Sequence, residues 1–256
     1  MNPDRAFHVT AALVFAASAA VTIAWCGSMS AMPGMDMPGG WTMSMAWMRM
    51  PGQGWLDYAG MFLGMWAVMM LAMMMPVAVP MLARYRRFVS ARNVDVLTAW
   101  VAGGYFIVWS LSGVVLFPLG VTFAEWTMQS PAISRTVPIL GALVLLAAGA
   151  SQFTSWKSRL LACCRHSIDC AGESQPNYRA AWRHGLKIGL RCVWCCAPLT
   201  AVLLVAGVMD LRAMALVTLA VCAERLLPAN VHAARTVGAI LLLMGVAVLL
   251  AAPMRG

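Results

Sequence analysis

The sequence predicts an all-α fold, a polytopic transmembrane helix bundle of about seven spans with its N-terminus inside and its C-terminus outside, and three observations predict it. Hydrophobic residues make up 62% of the 256 positions and charged residues only 11%, with a mean hydropathy of +0.78. A soluble domain is about a quarter charged, so this composition cannot clothe a water-exposed surface. Apolar runs recur at the roughly 20-residue length that crosses a hydrocarbon layer of about 30 Å. The basic residues, finally, collect at the ends of those runs and mostly on one side. Disordered and collagenous classes are excluded by the apolar runs, and a disulfide miniprotein by eight Cys scattered over so long a chain. The net charge of +9 therefore reads as membrane topology and not as a nucleic-acid surface.

The spans are 7–26, 55–83, 97–119, 136–156, 185–209, 211–228 and 236–252. The sixth is short, and only a turn around Asp210 separates it from the fifth, so the two are expected to form a tight helical hairpin. Residues 1–26 are the first transmembrane helix, which also resembles a signal peptide in having Arg5 before an Ala-rich core, although that core outruns the usual 7 to 15 residues. Residues 27–54 form an external segment, and residues 55–256 a six-helix membrane domain with a Cys-containing internal loop at 157–184. With the N-terminus inside, fourteen Lys and Arg lie on the inner side and four, Arg49, Arg135, Arg212 and Arg255, on the outer. Internal loops retain basic residues, so this asymmetry sets the orientation. In a bacterium the 27–54 segment is then periplasmic and the chain a multi-pass protein of the inner membrane.

That external segment carries Met29, Met32, Met35, Met37, Met43, Met45, Met48 and Met50 among Pro and Gly. A Gly-rich loop has no core for these thioethers to fill. Soft thioethers select Cu(I), and they persist in an oxidising compartment where thiols would pair. The competing reading is an interfacial segment whose Met and Trp side chains rest on lipid. Met61, Met65, Met69 and Met73 follow at four-residue spacing on one face of the second span, with Met70 and Met74 on an adjoining stripe. At 1.5 Å per residue they reach over about 18 Å, which makes a thioether ladder or a stripe of gap-filling packing residues. Pro76 and Pro80 interrupt the hydrogen-bond ladder toward the inner end. Gly60 and Gly64, and again Gly185 and Gly189, are small-xxx-small pairs that would let helices approach closely.

Seven of the eight Cys fall on the inner side: Cys163, Cys164, Cys170, Cys192, Cys195, Cys196 and Cys222. A reducing cytoplasm leaves them as thiols suited to metal or redox chemistry. On a helix Cys192 faces both Cys195 and Cys196, so two sulfurs converge on one ion, and Cys222 returns on the next span to a similar depth. Lys187 and Arg191, one turn below, would balance a thiolate site or snorkel to headgroups. A zinc site wants four closed ligands, whereas two or three thiolates with nearby thioethers suit Cu(I), leaving zinc as the competing ion. Glu224, beside Arg225, is an intramembrane carboxylate and hence a functional candidate or half of a local ion pair with Arg225, Arg191 or Lys187. Gln152 and Lys157 are either interhelical glue or snorkelling contacts. No phosphate loop, nucleophile elbow, metalloprotease His motif or internal repeat is present, so no nucleotide and no hydrolytic chemistry is expected.

Met65-Trp66 with Met69-Met70, Ala72-Met73-Met74-Met75-Pro76, Gln152 with Lys157, Cys164-Arg165, Gly185, Gly189, Cys192, Cys195-Cys196, Gly207-Val208-Met209 and Glu224-Arg225-Leu226 with Pro228 together resemble a bacterial domain-of-unknown-function family. Its members are predicted metal-binding integral membrane proteins, often labelled copper chaperones. The resemblance covers roughly residues 55–235. The chain departs from it at Leu160, where the family carries a Cys that Cys163 could replace, and at Thr200, where a Leu-Met pair reads Leu199-Thr200. The resemblance implies metal binding.

The combined expectation is a non-catalytic membrane Cu(I)-binding protein, a chaperone or relay between the Met-rich segment and the inner thiols, partnered by the bilayer and by copper-donor or copper-enzyme proteins. Two other readings stand beside it. One is an accessory or assembly subunit of a membrane copper-enzyme complex, and the other a thiol oxidoreductase cycling Cys192 and Cys195.

Overall fold

A computed structural model describes residues 3–30, 34–49, 52–89, 93–165, 177–227 and 230–251. Its helices are α1 (Pro3–Ser30), α2 (Trp55–Phe88), α3 (Val94–Gln129), α4 (Pro131–Ser151), α5 (Ser155–Arg165), α6 (Tyr178–Ala206), α7 (Leu211–Leu226) and α8 (Asn230–Ala251). Between α1 and α2 lie two short strands, β1 (Met35–Met37) and β2 (Trp41–Met43), and a 3-10 turn at Met45–Trp47. Among the described residues six helices, α1, α2, α3, α4, α6 and α8, are long and apolar enough to cross a membrane. The seventh expected span, α7, has 16 residues, or about 24 Å, less than the roughly 30 Å hydrocarbon thickness.

Helix α2 is the centre of the bundle, packed against α1, α3 and α7, and 61% of its most apolar stretch is buried against 17% for α3. Large apolar side chains such as Leu13, Leu111, Leu119, Leu216, Leu219 and Leu243 are left on the outside of α1, α3, α7 and α8. So continuous an apolar belt is the signature of a lipid-facing surface. Helix α2 runs unbroken through Pro76 and Pro80, each of which removes one backbone donor and frees a carbonyl one turn earlier. Helices α3 and α4 are separated at Ser130 because the following Pro131 pushes it into the extended region, and proline itself is well suited to the first helical position.

Close approach of α3 and α6 rests on Gly104, Gly185 and Gly189. A Cβ on Gly104 would stand 2.7 Å from the Trp182 carbonyl oxygen, one on Gly189 2.9 Å from that of Tyr105, and one on Gly185 would overlap the Val101 carbonyl oxygen. The Gly185/Gly189 pair thus serves as expected. The Gly60/Gly64 pair does not, since among the described residues no neighbour comes within 4 Å of a Cβ at either. The α6–α7 hairpin forms as anticipated. Gly207 turns the chain at a φ of 114°, and Asp210 caps α7 by accepting from the backbone N–H groups of Arg212 at 2.8 Å and Ala213 at 3.3 Å.

A periplasmic-type reporter fused at Gly39 is expected to be active and one at Asn93 silent, and a C-terminal fusion active, because α7 then completes an odd number of crossings. Activity at Asn93 inverts the orientation, and a silent C-terminal fusion means that α7 does not cross.

Candidate metal centre

The Met-rich segment is more ordered than its composition suggests. Strands β1 and β2 pair antiparallel with Met35 opposite Met43 and Met37 opposite Trp41, so Met35, Met37 and Met43 share one face. Gly39 and Gly40, at φ of 104° and 71°, supply the left-handed turn. The hairpin docks on the ends of α3 and α4. The Trp41 indole N–H donates to the Ser134 carbonyl at 3.0 Å, and the Ser134 hydroxyl donates to the Pro38 carbonyl at 2.8 Å. Met37 and Met43 pack against Ala124 at 8% and 3% exposure, whereas Met35 is 42% exposed. The segment therefore does have a small core to fill, because α3 extends ten residues beyond the expected span end at 119, to Gln129, and offers it a wall. Met29 lies on α1, half-buried against the main core. Met45 stands in the 3-10 turn and Cys164 near the end of α5, their side chains outside the described residues, as are Met32, Met50 and Cys170 altogether.

Met65, Met69 and Met73 are all buried in α2, with Met70 and Met74, while Met61 is exposed. These five thioethers share one contiguous buried cluster with Cys192, Cys196, Tyr105, Met209 and Met214. The ladder face points inward and not to lipid.

The α6 thiols form a second group. Cys192, Cys195 and Cys196 are all buried, and the Cys196 side chain is hydrogen-bonded to both Cys192 and Cys195. Tyr105 on α3 brings its hydroxyl to 3.0 Å from the Cys192 sulfur, a distance the glycine-mediated α3–α6 approach makes reachable. Below them lies a buried ion pair. Lys157 Nζ is 2.8 Å from Glu224 Oε2, the two side chains 1% and 2% exposed, and Lys157 also donates to the Cys195 carbonyl at 2.7 Å. Lys157 gets there because the chain turns at 152–154 and starts α5 with Thr154 Oγ1 accepting from the Lys157 backbone N–H at 3.3 Å. Pro198 removes an intrahelical donor at this level of α6, and the Cys196 carbonyl here accepts from the Thr200 hydroxyl at 3.1 Å.

The cations differ from those expected. Lys187 is exposed and Arg191 half-buried, whereas it is the charge of Arg225 that reaches Cys192, Cys196 and Glu224. Glu224 takes Lys157 as a partner. Lys157 and Glu224 together with α5 thus act as interhelical glue. Cys222 is half-buried on α7, whose inward stripe is Met214, Val217, Val221 and Glu224. Cys222 packs against the same core cluster as Cys192 and Cys196. Among the described residues no set of three or more His, Cys, Asp or Glu is arranged to hold a metal.

A family model described as PpoB2, copper chaperone, matches residues 63–248. The chain belongs to that copper chaperone family. No curated protein and no solved structure matches it. The match to the copper chaperone family takes in Met65, Met69, Met73, Lys157, Cys164, Cys192, Cys195, Cys196, Cys222 and Glu224, and leaves α1 and the Met-rich hairpin outside it. Sequence reasoning missed Tyr105 as a thiol partner. The only signal was a buried-helix Tyr whose hydroxyl needs a partner, and nothing local says which.

Proposed function

We propose that the chain is a non-catalytic Cu(I) chaperone of a bacterial inner membrane, which captures the ion at the external Met-rich hairpin and passes it by ligand exchange along the α2 thioethers to or from the α6 thiols. The observation that carries this reading is the single buried cluster in which Met65, Met69, Met73, Met70 and Met74 lie with Cys192 and Cys196, inside a chain of the copper chaperone family. Exchange between similar soft donors needs no nucleotide, in keeping with the lack of a phosphate-binding motif. Copper-donor and copper-enzyme proteins are the partners at the two ends.

The test is copper content and Cu(I) competition affinity of the purified protein beside a Cys192→Ser/Cys195→Ser/Cys196→Ser variant. The wild type is expected to bind copper when isolated from any complex, and the variant to lose the tightest site. A wild type that is metal-free alone and copurifies with a larger copper enzyme would favour the accessory-subunit reading. Separately, Met35→Leu/Met37→Leu/Met43→Leu should slow uptake at limiting copper while the inner site keeps its affinity, since Leu preserves the packing of Met37 and Met43 but not their sulfur.

A further inference from the structure

A small cavity of about 10 Å3 lies between α1, α2, α7 and the α6–α7 turn. Five of the residues that line it carry sulfur: Cys26, Met65, Met69, Met209 and Met214. At its wall the Cys26 thiol donates to the Met209 sulfur, the two atoms 4.0 Å apart although 183 residues separate them in the chain. We propose that this cavity is a second Cu(I) site, with Cys26 as its thiolate and Met209 and a methionine of α2 or α7 as its thioethers. The proposal rests on the copper-handling reading above and adds to it a site that the α6 thiols do not provide.

Four physical arguments support it. A metal–thiolate bond is about 2.3 Å long in zinc sites, and at that length two donors 120° apart stand about 4 Å from each other. The observed Cys26–Met209 separation is therefore already the edge of a trigonal sulfur site. The volume is about that of one water-sized sphere, but a buried water needs two to four polar partners. The lining side chains carry as polar groups the Cys26 thiol, the Trp25 indole N–H and the Thr22 hydroxyl, the last donating to the Ser18 carbonyl at 2.8 Å, and the surface they present to the cavity is apolar. Charge also balances. A monovalent cation on one thiolate and neutral thioethers is a net-neutral unit, which is the form that a low-dielectric bundle tolerates. On binding, the Cys26 proton leaves for the aqueous phase or for the ligand that delivered the ion, and no electron moves.

Position supports the same assignment. Met29 is one turn beyond Cys26 on α1 and packs on the same core, so the cavity lies between the Met-rich segment and the α2 thioethers. Met65 and Met69 belong both to the cavity and to the α2 stripe. Cys26 lies outside the residues matched by the copper chaperone family.

The experiment uses the full-length protein in detergent, in the Cys192→Ser/Cys195→Ser/Cys196→Ser background, titrated with Cu(I) against a chelator of known affinity. That background should retain a Cu(I) ion with sulfur-only coordination by copper-edge X-ray absorption. Adding Cys26→Ser with Met209→Leu should lower the bound copper by about one equivalent. Because either change could disturb folding, Met209→Leu alone, a volume-conserving swap, should keep the thermal transition and still weaken binding about tenfold. Bound copper and affinity unchanged by these substitutions would overturn the site and mark the cavity as a packing gap. A background protein that binds no copper while the wild type does would also overturn it and leave the α6 thiols as the binding group. A wild type that binds none would remove both readings.

Discussion

Lys157→Met, with Glu224 left in place, is expected to destabilise the folded bundle by about 3–5 kcal/mol, the penalty for leaving one half of a buried ion pair without its partner. The two side chains are almost wholly withdrawn from solvent, and Glu224 Oε1 has no hydrogen-bond partner among the described residues, so the Lys157 ammonium is the main compensation for that carboxylate. A loss of that size is a large fraction of the roughly 5–15 kcal/mol that holds a typical domain together. The single variant should therefore give little monodisperse protein and a depressed thermal transition in detergent. Removing both charges, as Lys157→Met/Glu224→Leu, should restore most of the loss, because apolar residues of similar volume replace a buried pair at little net cost. Equal stability of the single and double variants would show that the pair is not coupled. Lys157 also holds the Cys195 carbonyl, so a well-folded double variant with weakened Cu(I) retention would separate its positioning of the thiol turn from its contribution to stability.

The second large effect is expected at the α3–α6 crossing. Gly185→Ala places a methyl group against the Val101 carbonyl, a backbone atom that cannot rotate aside, and overpacking of this kind costs about 1–3 kcal/mol or more. That outweighs the gain of up to about 1 kcal/mol which alanine brings to a helix over glycine. The same substitution at Gly64 meets nothing within 4 Å among the described residues and should be neutral or stabilising. Two glycine pairs with identical spacing are thus predicted to respond with opposite sign. Forcing α3 from α6 also draws the Tyr105 hydroxyl from Cys192, so Gly185→Ala should change the reactivity of the Cys192 thiol toward a small alkylating reagent while Gly64→Ala leaves it unchanged. Comparable stability for the two variants would mean that α3 and α6 do not meet through glycine.

Much of the architecture was legible in one dimension because lipid imposes a one-dimensional requirement: each crossing must satisfy its own backbone hydrogen bonds over a fixed thickness, so its length and apolarity are written contiguously. Six of the seven expected spans are membrane-length helices, and the Asp210 turn and the Gly185/Gly189 contact were likewise local patterns. The α2 methionine stripe was visible as a four-residue period, and Cys192 with Cys196 as neighbours on one helix face.

What periodicity could not contain is which face meets which. Only tertiary packing decided that the α2 stripe points into the bundle, that no neighbour among the described residues comes within 4 Å of a Cβ at Gly60 or Gly64, and that Met37 and Met43 gain a wall from the extended end of α3. Glu224 has Lys157 as a partner, 67 positions away in sequence, because a three-residue turn after α4 folds α5 back under the bundle. Cys26 and Met209 are 183 residues apart and still meet at the wall of one cavity. The sequence by itself determined where the six membrane-length apolar helices lie and which soft donors they carry, since these are properties of contiguous residues. Which sulfurs and charges converge was decided by the tertiary structure alone, because helix rotation and neighbour choice follow from the summed side-chain packing of all the elements at once and not from any one stretch of chain.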